Sequence, residues 1–514
     1  MSCWCKGQCP VIRRFQDLSR KGDARAAEAH LKTALIDAPA CPEANLALAK
    51  IYADSNRACF GWEHVRAATE TEKTGSPLAS QINLAAGKVA RSAVELDQAI
   101  ADFDQGLKVS PGDTEIWCNL MDALQAKGDT ERGMAVMLDA REKFPDNVEI
   151  RRSSASMMAA TKNFAGAERM ITGSNMRPLD YLDRGRYRDR QGEAGGAWED
   201  WTRAKELLRE KANFYFQQDA FDKMMLDLTL LATKKRQKQI PGCWPRPAGD
   251  GPQPVFVLGF PRSGTTMTET AISAHSEIMA GDELPFANEL VQIMPGMLGT
   301  ETPYPFALVA TGLSENVTAM GLFRDWYLRR AQFRLAPLGW PEGTKFFTDK
   351  MCLNEIHIPF LLRMFPESPI FVVRRHPLDV VVSNWSYFIR HGWQYGSTLW
   401  STAHVLTRVD ALVERYAKLF PGKIHFVRYE DFVADPKPVL QSMFKARGLS
   451  QLKWEGRVVD FHENPRHSRT ISHRQIKEPA HDRSVGRWKA YREKFPPQLI
   501  EAVRAICERE SYEI

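Results

Sequence analysis

Cysteine is scarce here: nine residues among 514, an odd number spread along the chain. That speaks against a disulfide framework and fits reduced thiols. Cys3, Cys5 and Cys9 stand close together, but no fourth ligand follows at finger-like spacing, so no metal is expected there. No stretch reaches the roughly 18 apolar residues of a membrane span, and the opening MSCWCKGQCPVIRRF lacks the apolar core of a signal peptide. The expected location is therefore the cytoplasm, without a membrane span. A formal net charge of only +6 leaves neither a nucleic-acid footprint nor a polybasic membrane surface. What is plentiful is ordinary. A composition of 44% hydrophobic and 26% charged residues describes a globular chain of roughly two or three domains with a sizeable core.

Residues 12–239 are rich in Ala, Leu, Glu, Lys and Arg, and proline recurs at Pro39, Pro77, Pro111 and Pro145, the last two intervals both being 34 residues. That is the tetratricopeptide period. Trp117, Leu120, Leu124, Gly128, Ala140 and Pro145 occupy the positions such a unit requires. Gly87, Ala99, Phe103 and Pro111 fit the same frame, as do Gly22, Ala27, Ala34 and Pro39, and later Gly192, Ala197, Trp201 and Ala204. Small residues let paired helices approach, and large ones fill the groove between stacked pairs. Residues 240–253, within IPGCWPRPAGDGPQP, then break every periodicity and predict a linker.

From residue 254 onward the pattern becomes α/β: short runs, VFVLGF (255–260), KFFTDK (345–350), IFVVRR (370–375) and IHFVRY (424–429), alternate with helical segments. A parallel sheet is expected over residues 254–514. Each run ends in polar groups: Arg262 just past the first, Asp349 and Lys350, Arg374 and Arg375, then Arg428, Tyr429 and Glu430. Ligands bind outside the carboxyl ends of such strands.

The first run leads into GFPRSGTT. Gly259 and Gly264 have P-loop spacing, but Thr265 takes the lysine position and the cation sits at Arg262. Backbone N–H groups running into a helix near Thr265 make an anion site suited to a phosphate ester. An NTPase also needs a magnesium-holding acid at the end of a second strand, and IFVV is followed by Arg374 and Arg375.

Over residues 254–495 this combination resembles the sulfotransferases that use 3′-phosphoadenosine 5′-phosphosulfate (PAPS) and release 3′-phosphoadenosine 5′-phosphate (PAP). FPRSGTT is similar to their 5′-phosphosulfate loop, which assigns Arg262, Ser263, Gly264, Thr265 and Thr266 to the co-substrate. RHPLDVVVS is similar to their 3′-phosphate segment, which assigns Arg375 and Ser383. RYED and SVGRWKAY add Tyr429 and Arg487. Within the family the chain most resembles tyrosylprotein sulfotransferases and bacterial relatives with tetratricopeptide repeats. That resemblance implies a catalytic glutamate at Glu283, in SAHSEIMAGDEL, and places Lys350 and Ser472 near the bridging oxygen. Where the family has an arginine two positions after the glutamate, this chain has Pro285, a departure that bears on peptide tyrosine as acceptor. His275 reads as structural.

The chemistry asks for the same residue types. Negative charge gathers on a departing phosphate oxygen, which Arg262 and Lys350 neutralise, and a carboxylate such as Glu283 can take the proton of an attacking hydroxyl. The expected acceptor is a peptide, a glycan or another hydroxyl compound, with the repeats docking that acceptor or a protein partner. Two alternatives remain at this point: a P-loop phosphotransferase, and a non-catalytic nucleotide-binding repeat scaffold.

Overall fold

Helix pairs form wherever the 34-residue spacing calls for them. The computed structural model describes residues 10–54, 58–70, 78–93, 95–173, 175–244, 251–310, 317–336, 339–389, 392–446, 448–463 and 482–514. They divide into two compact units, Met1–Asn175 and Met176–Ile514. In the first, consecutive helices from Pro10–Arg20 to Phe164–Ile171 pack in pairs. In the pair Ala79–Ser92 and Leu96–Val109, a methyl group on Gly87 would lie 2.4 Å from the Phe103 ring. Only glycine allows that approach. Asp113, Asp129, Asn147 and Asn163 each cap the following helix by accepting backbone N–H groups of its first turn, which otherwise have no partner. Polar side chains tie one pair to the next: Lys50 Nζ donates to Gln81 at 2.8 Å, Lys88 Nζ to Glu115 at 3.0 Å and Arg91 Nη2 to Asn119 at 3.3 Å.

The second unit opens with one more helix pair, Pro178–Arg190 and Ala194–Ala212. Its repeat-like Trp201 is fully buried, its ring centroid 5.4 Å from that of Tyr491 near the carboxyl end. Beyond it the linker-like residues pack as well. The N–H of Cys243 donates to the Arg363 carbonyl at 2.8 Å and Arg324 donates to the Trp244 carbonyl at 2.6 Å. A repeat module over 12–239 and a catalytic module from 254, joined by 240–253, is a proposal about the parts of the chain; the compact units divide at 175/176.

Among the described residues the sheet has five strands, all parallel, in the order β2-β3-β1-β4-β5: β1 Gln253–Gly259, β2 Ile278–Met279, β3 Phe346–Asp349, β4 Ile370–Arg374 and β5 Ile424–Arg428. Four were legible as apolar runs. β2 is a two-residue edge strand, too short for any periodicity. Both faces of β1 and β4 are covered, which is why these strands read as continuous apolar runs. Val255, Val257 and Phe371 join the core on one face, while Phe256, Leu258 and Val372 join that on the other. β1 lies at the centre of the sheet, with β3 on one side and β4 on the other.

Candidate active site

β1 ends at Gly259, and after five intervening residues the helix Thr265–Ile272 begins. Between them the Ser263 N–H turns back to the Phe260 carbonyl at 3.1 Å. Arg262 and Gly264 both have positive φ, 74° and 109°. Gly264 is required twice, because a methyl group there would also lie 2.4 Å from Tyr429 Cδ2. Tyr429, at the end of β5, thus packs directly on the loop. Behind it the buried Glu355 accepts the N–H of Gly259, and burial pushes its carboxyl up to about 7. Thr265, in the position of a P-loop lysine, has its Oγ1 3.6 Å from Cys352 Sγ, two residues past Lys350. The amino end of the helix after β1 is a natural anion site.

Arginines gather beside the loop. Arg262 Nε donates to Ser383 Oγ at 3.0 Å, and Arg375 Nη1 donates to the Arg262 carbonyl at 3.0 Å. Arg375 also donates to the Ser484 carbonyl and lies 4.8 Å from the centroid of the Tyr429 ring. Arg487 pairs with Asp189 at 3.0 Å and lies over Trp201. Burial, and the charges of Arg375, Arg487 and Arg186, push Arg262 below the ordinary arginine range. Among the described residues Ser263 Oγ and Arg375 Nε are buried without a hydrogen-bond partner. A ligand rich in anionic oxygens suits such donors.

On the other side of β1, Lys350 follows β3. Its side chain is 1% exposed, and Nζ lies 2.7 Å from Glu283 Oε1 and 3.2 Å from Asp282 Oδ1. Burial alone would push this lysine down. The charges of Asp282, Glu283 and Glu269 outweigh it and hold Lys350 well above its ordinary range. Glu283 is 44% exposed, so the pair has one buried and one accessible end. The turn carrying it is fixed from below: buried Glu269 accepts the Asp282 N–H at 2.9 Å and the Thr348 hydroxyl at 2.6 Å. Asp349 points elsewhere. Burial pushes it up to about 7, and it takes the Tyr327 hydroxyl as donor.

A further buried cation stands behind Ser383. Lys205 Nζ donates to the carbonyls of Tyr387 and Gly396, each at 2.7 Å, and of Asn384 at 3.4 Å. Burial, with Arg209 adding to it, pushes this lysine down to about 7.

The structure therefore gathers Arg262, Ser263, Gly264, Arg375, Ser383, Tyr429 and Arg487 around the loop, with Thr265 and Thr266 opening its helix, and pairs Glu283 with Lys350 at the end of the neighbouring strand β3. Ser472, and Cys3, Cys5 and Cys9, lie outside the described residues. Pro285 starts the helix Phe286–Leu298. His275 is buried, its Nε2 2.8 Å from the Lys453 carbonyl. The sequence reading missed Arg186, Asp189 and Tyr387. The first two sit on a repeat-like helix whose pattern encodes packing alone, and Tyr387 follows Ser383 by one turn.

The loop on β1 and the parallel sheet around it place the second unit in the P-loop-like α/β class. Within it, residues 254–455 match the family model described as Sulfotransferase family. A protein of Aquifex aeolicus (strain VF5), described as uncharacterized, is 29% identical over 312 residues; the match covers 60% of this chain and 39% of that protein, so the chain spans about two fifths of its relative's length. Among solved structures, the sulfotransferase STF9 from Mycobacterium avium is similar at 14% identity and TM-score 0.30, over 69% of this chain and 97% of that one. PilW, a type IV pilus biogenesis factor, is similar at 18% identity and TM-score 0.33, over 40% of this chain and 93% of that one.

Proposed function

We propose that this protein is a cytoplasmic sulfotransferase that uses PAPS, releases PAP and sulfates a hydroxyl of a peptide, glycan or other acceptor. The observation that carries the reading is the Lys350–Glu283 pair, 2.7 Å apart, at the end of the strand bonded directly to the loop strand. Such a pair serves hydroxyl activation beside an anion loop. In this reading Ser263, Gly264, Thr265 and Thr266 hold the 5′-phosphosulfate, Arg375 and Ser383 hold the 3′-phosphate, and Tyr429 and Arg487 adjoin the nucleotide. PAPS supplies a sulfuryl group bound to a phosphate that can leave. Arg262 and Lys350 stabilise negative charge on the bridging oxygen, and Ser472 is assigned there on the resemblance alone. Glu283 accepts the acceptor's hydroxyl proton, a contribution of roughly 10²- to 10⁴-fold. Lys350 holds that carboxylate in one orientation. The repeats of the first unit offer a surface for docking the acceptor or a partner.

Glu283→Gln keeps the size and removes the base. PAP affinity should stay within a few-fold, while transfer from radiolabelled PAPS to a panel of peptides, glycans and phenols falls by roughly 10²-fold or more. Near-parental transfer by the variant would sink the assignment of Glu283, and a parent protein that did not bind PAP would sink the donor assignment.

A further inference from the structure

We propose that Arg186, on the helix Pro178–Arg190 ahead of the sheet, is a specificity-determining residue that recognises the donor's 3′-phosphate; this rests on the PAPS reading. Arg186 Nη1 donates to the Ser386 carbonyl at 2.8 Å, and Ser386 Oγ donates to the Ser383 carbonyl at 2.9 Å. One helical turn therefore carries both Ser383 and the carbonyl that fixes Arg186. The Arg186 guanidinium lies 4.4 Å from the centroid of the Tyr387 ring, and the Arg262 guanidinium lies at the same distance from the same ring. Arg262 in turn donates to Ser383 Oγ. One aromatic ring thus holds two guanidiniums beside the serine assigned to the 3′-phosphate, an arrangement stabilised by cation–π attraction.

The same helix contributes again one turn on, where Asp189 anchors Arg487. Asp183 contacts Arg186, Asp189 contacts Arg487, and Asp379 lies 3.9 Å from Arg375. The guanidiniums of Arg186, Arg375 and Arg487 all bear on Arg262. A dianion among them relieves their mutual repulsion. Arg186 is already ordered by its carbonyl and carboxylate partners, so little freedom is lost when it engages a ligand. The 5′ end of the nucleotide has the loop of β1, Arg262 included, for its own donors, which leaves Arg186, Arg375 and Arg487 to the 3′ end.

The test uses the full chain and isothermal calorimetry with PAP and with adenosine 5′-phosphate. The parent should prefer PAP. Arg186→Gln retains a donor for the Ser386 carbonyl and removes the charge; it should lower PAP affinity about 10- to 100-fold, the range of a charge-assisted hydrogen bond, and change 5′-phosphate affinity by less than about 3-fold. Arg186→Lys should restore part of the preference. Asp183→Asn tests the point with the opposite sign, since releasing Arg186 from its carboxylate should raise PAP affinity a few-fold. Undiminished preference in Arg186→Gln, equal weakening of both nucleotides, or weaker PAP binding in Asp183→Asn would each overturn the role of Arg186 while leaving the PAPS reading in place. A parent indifferent to the 3′-phosphate would overturn both.

Discussion

Lys205 shows how much of this site depends on single residues outside any motif. Its ammonium is the common donor to three carbonyls of the segment that follows Ser383. Burial lowers it from an ordinary 10.5 to about 7. Between those values the unfolded chain keeps a proton that the folded chain releases, so this group's contribution to stability rises with pH. The contribution is full above the ordinary lysine range and is lost as pH falls through about 7. Lys205→Met removes the titration. Urea unfolding should show the parent gaining stability relative to that variant between about pH 6.5 and about pH 9.5, and a pH-independent difference would contradict the shift. Residues at strand ends were legible because an apolar run announces where it stops: Arg262, Lys350, Arg375 and Tyr429 are all found this way. Lys205, Arg186 and Asp189 were not, because a polar residue on an amphipathic helix looks solvated until something covers it.

At the scale of elements, the helix pair Pro178–Arg190 and Ala194–Ala212 is the instructive case. Gly192, Ala197, Trp201 and Ala204 correctly indicate two helices closely packed. A repeat pattern specifies how a pair closes on itself and leaves open what packs against its outer face. Here that face meets Leu378, Val381, Val382, Trp385 and Tyr491, so the pair becomes a wall of the α/β unit. Trp201 lies in that shared core. Trp201→Ala should cost about 3 to 5 kcal/mol of stability, the range for a deleted buried aromatic, and should also weaken PAP binding, because Arg487 rests on that ring. Denaturant unfolding and calorimetry on the same samples check both. A stability loss below about 1 kcal/mol would show that the wall is dispensable. β2 marks the opposite limit, since two residues carry no pattern and only pairing with β3 makes them a strand.

For the whole molecule, the question is where it can be divided. A fragment of residues 176–514 retains Arg186, Asp189, Trp201 and Lys205, whereas one of residues 250–514 loses all four. The longer fragment should unfold cooperatively and bind PAP within a few-fold of the full chain. The shorter one should be insoluble, or bind at least about 10-fold more weakly, given lost buried contacts of several kcal/mol. Equal behaviour of the two would favour a module that begins at 254. The strand order has a further consequence for how such a protein diversifies. With β1 central, Glu283 and Lys350 lie toward β2 and β3, while Arg375, Ser383 and Tyr429 lie toward β4 and β5. On the proposed assignment, the base that meets the acceptor lies in the stretch between the β1 loop and β3, while the donor's grip comes from that loop and from segments outside this stretch. Grafting a relative's residues 273–345 could retarget the enzyme to a new acceptor while the nucleotide grip is inherited unchanged, so selection can vary one without renegotiating the other.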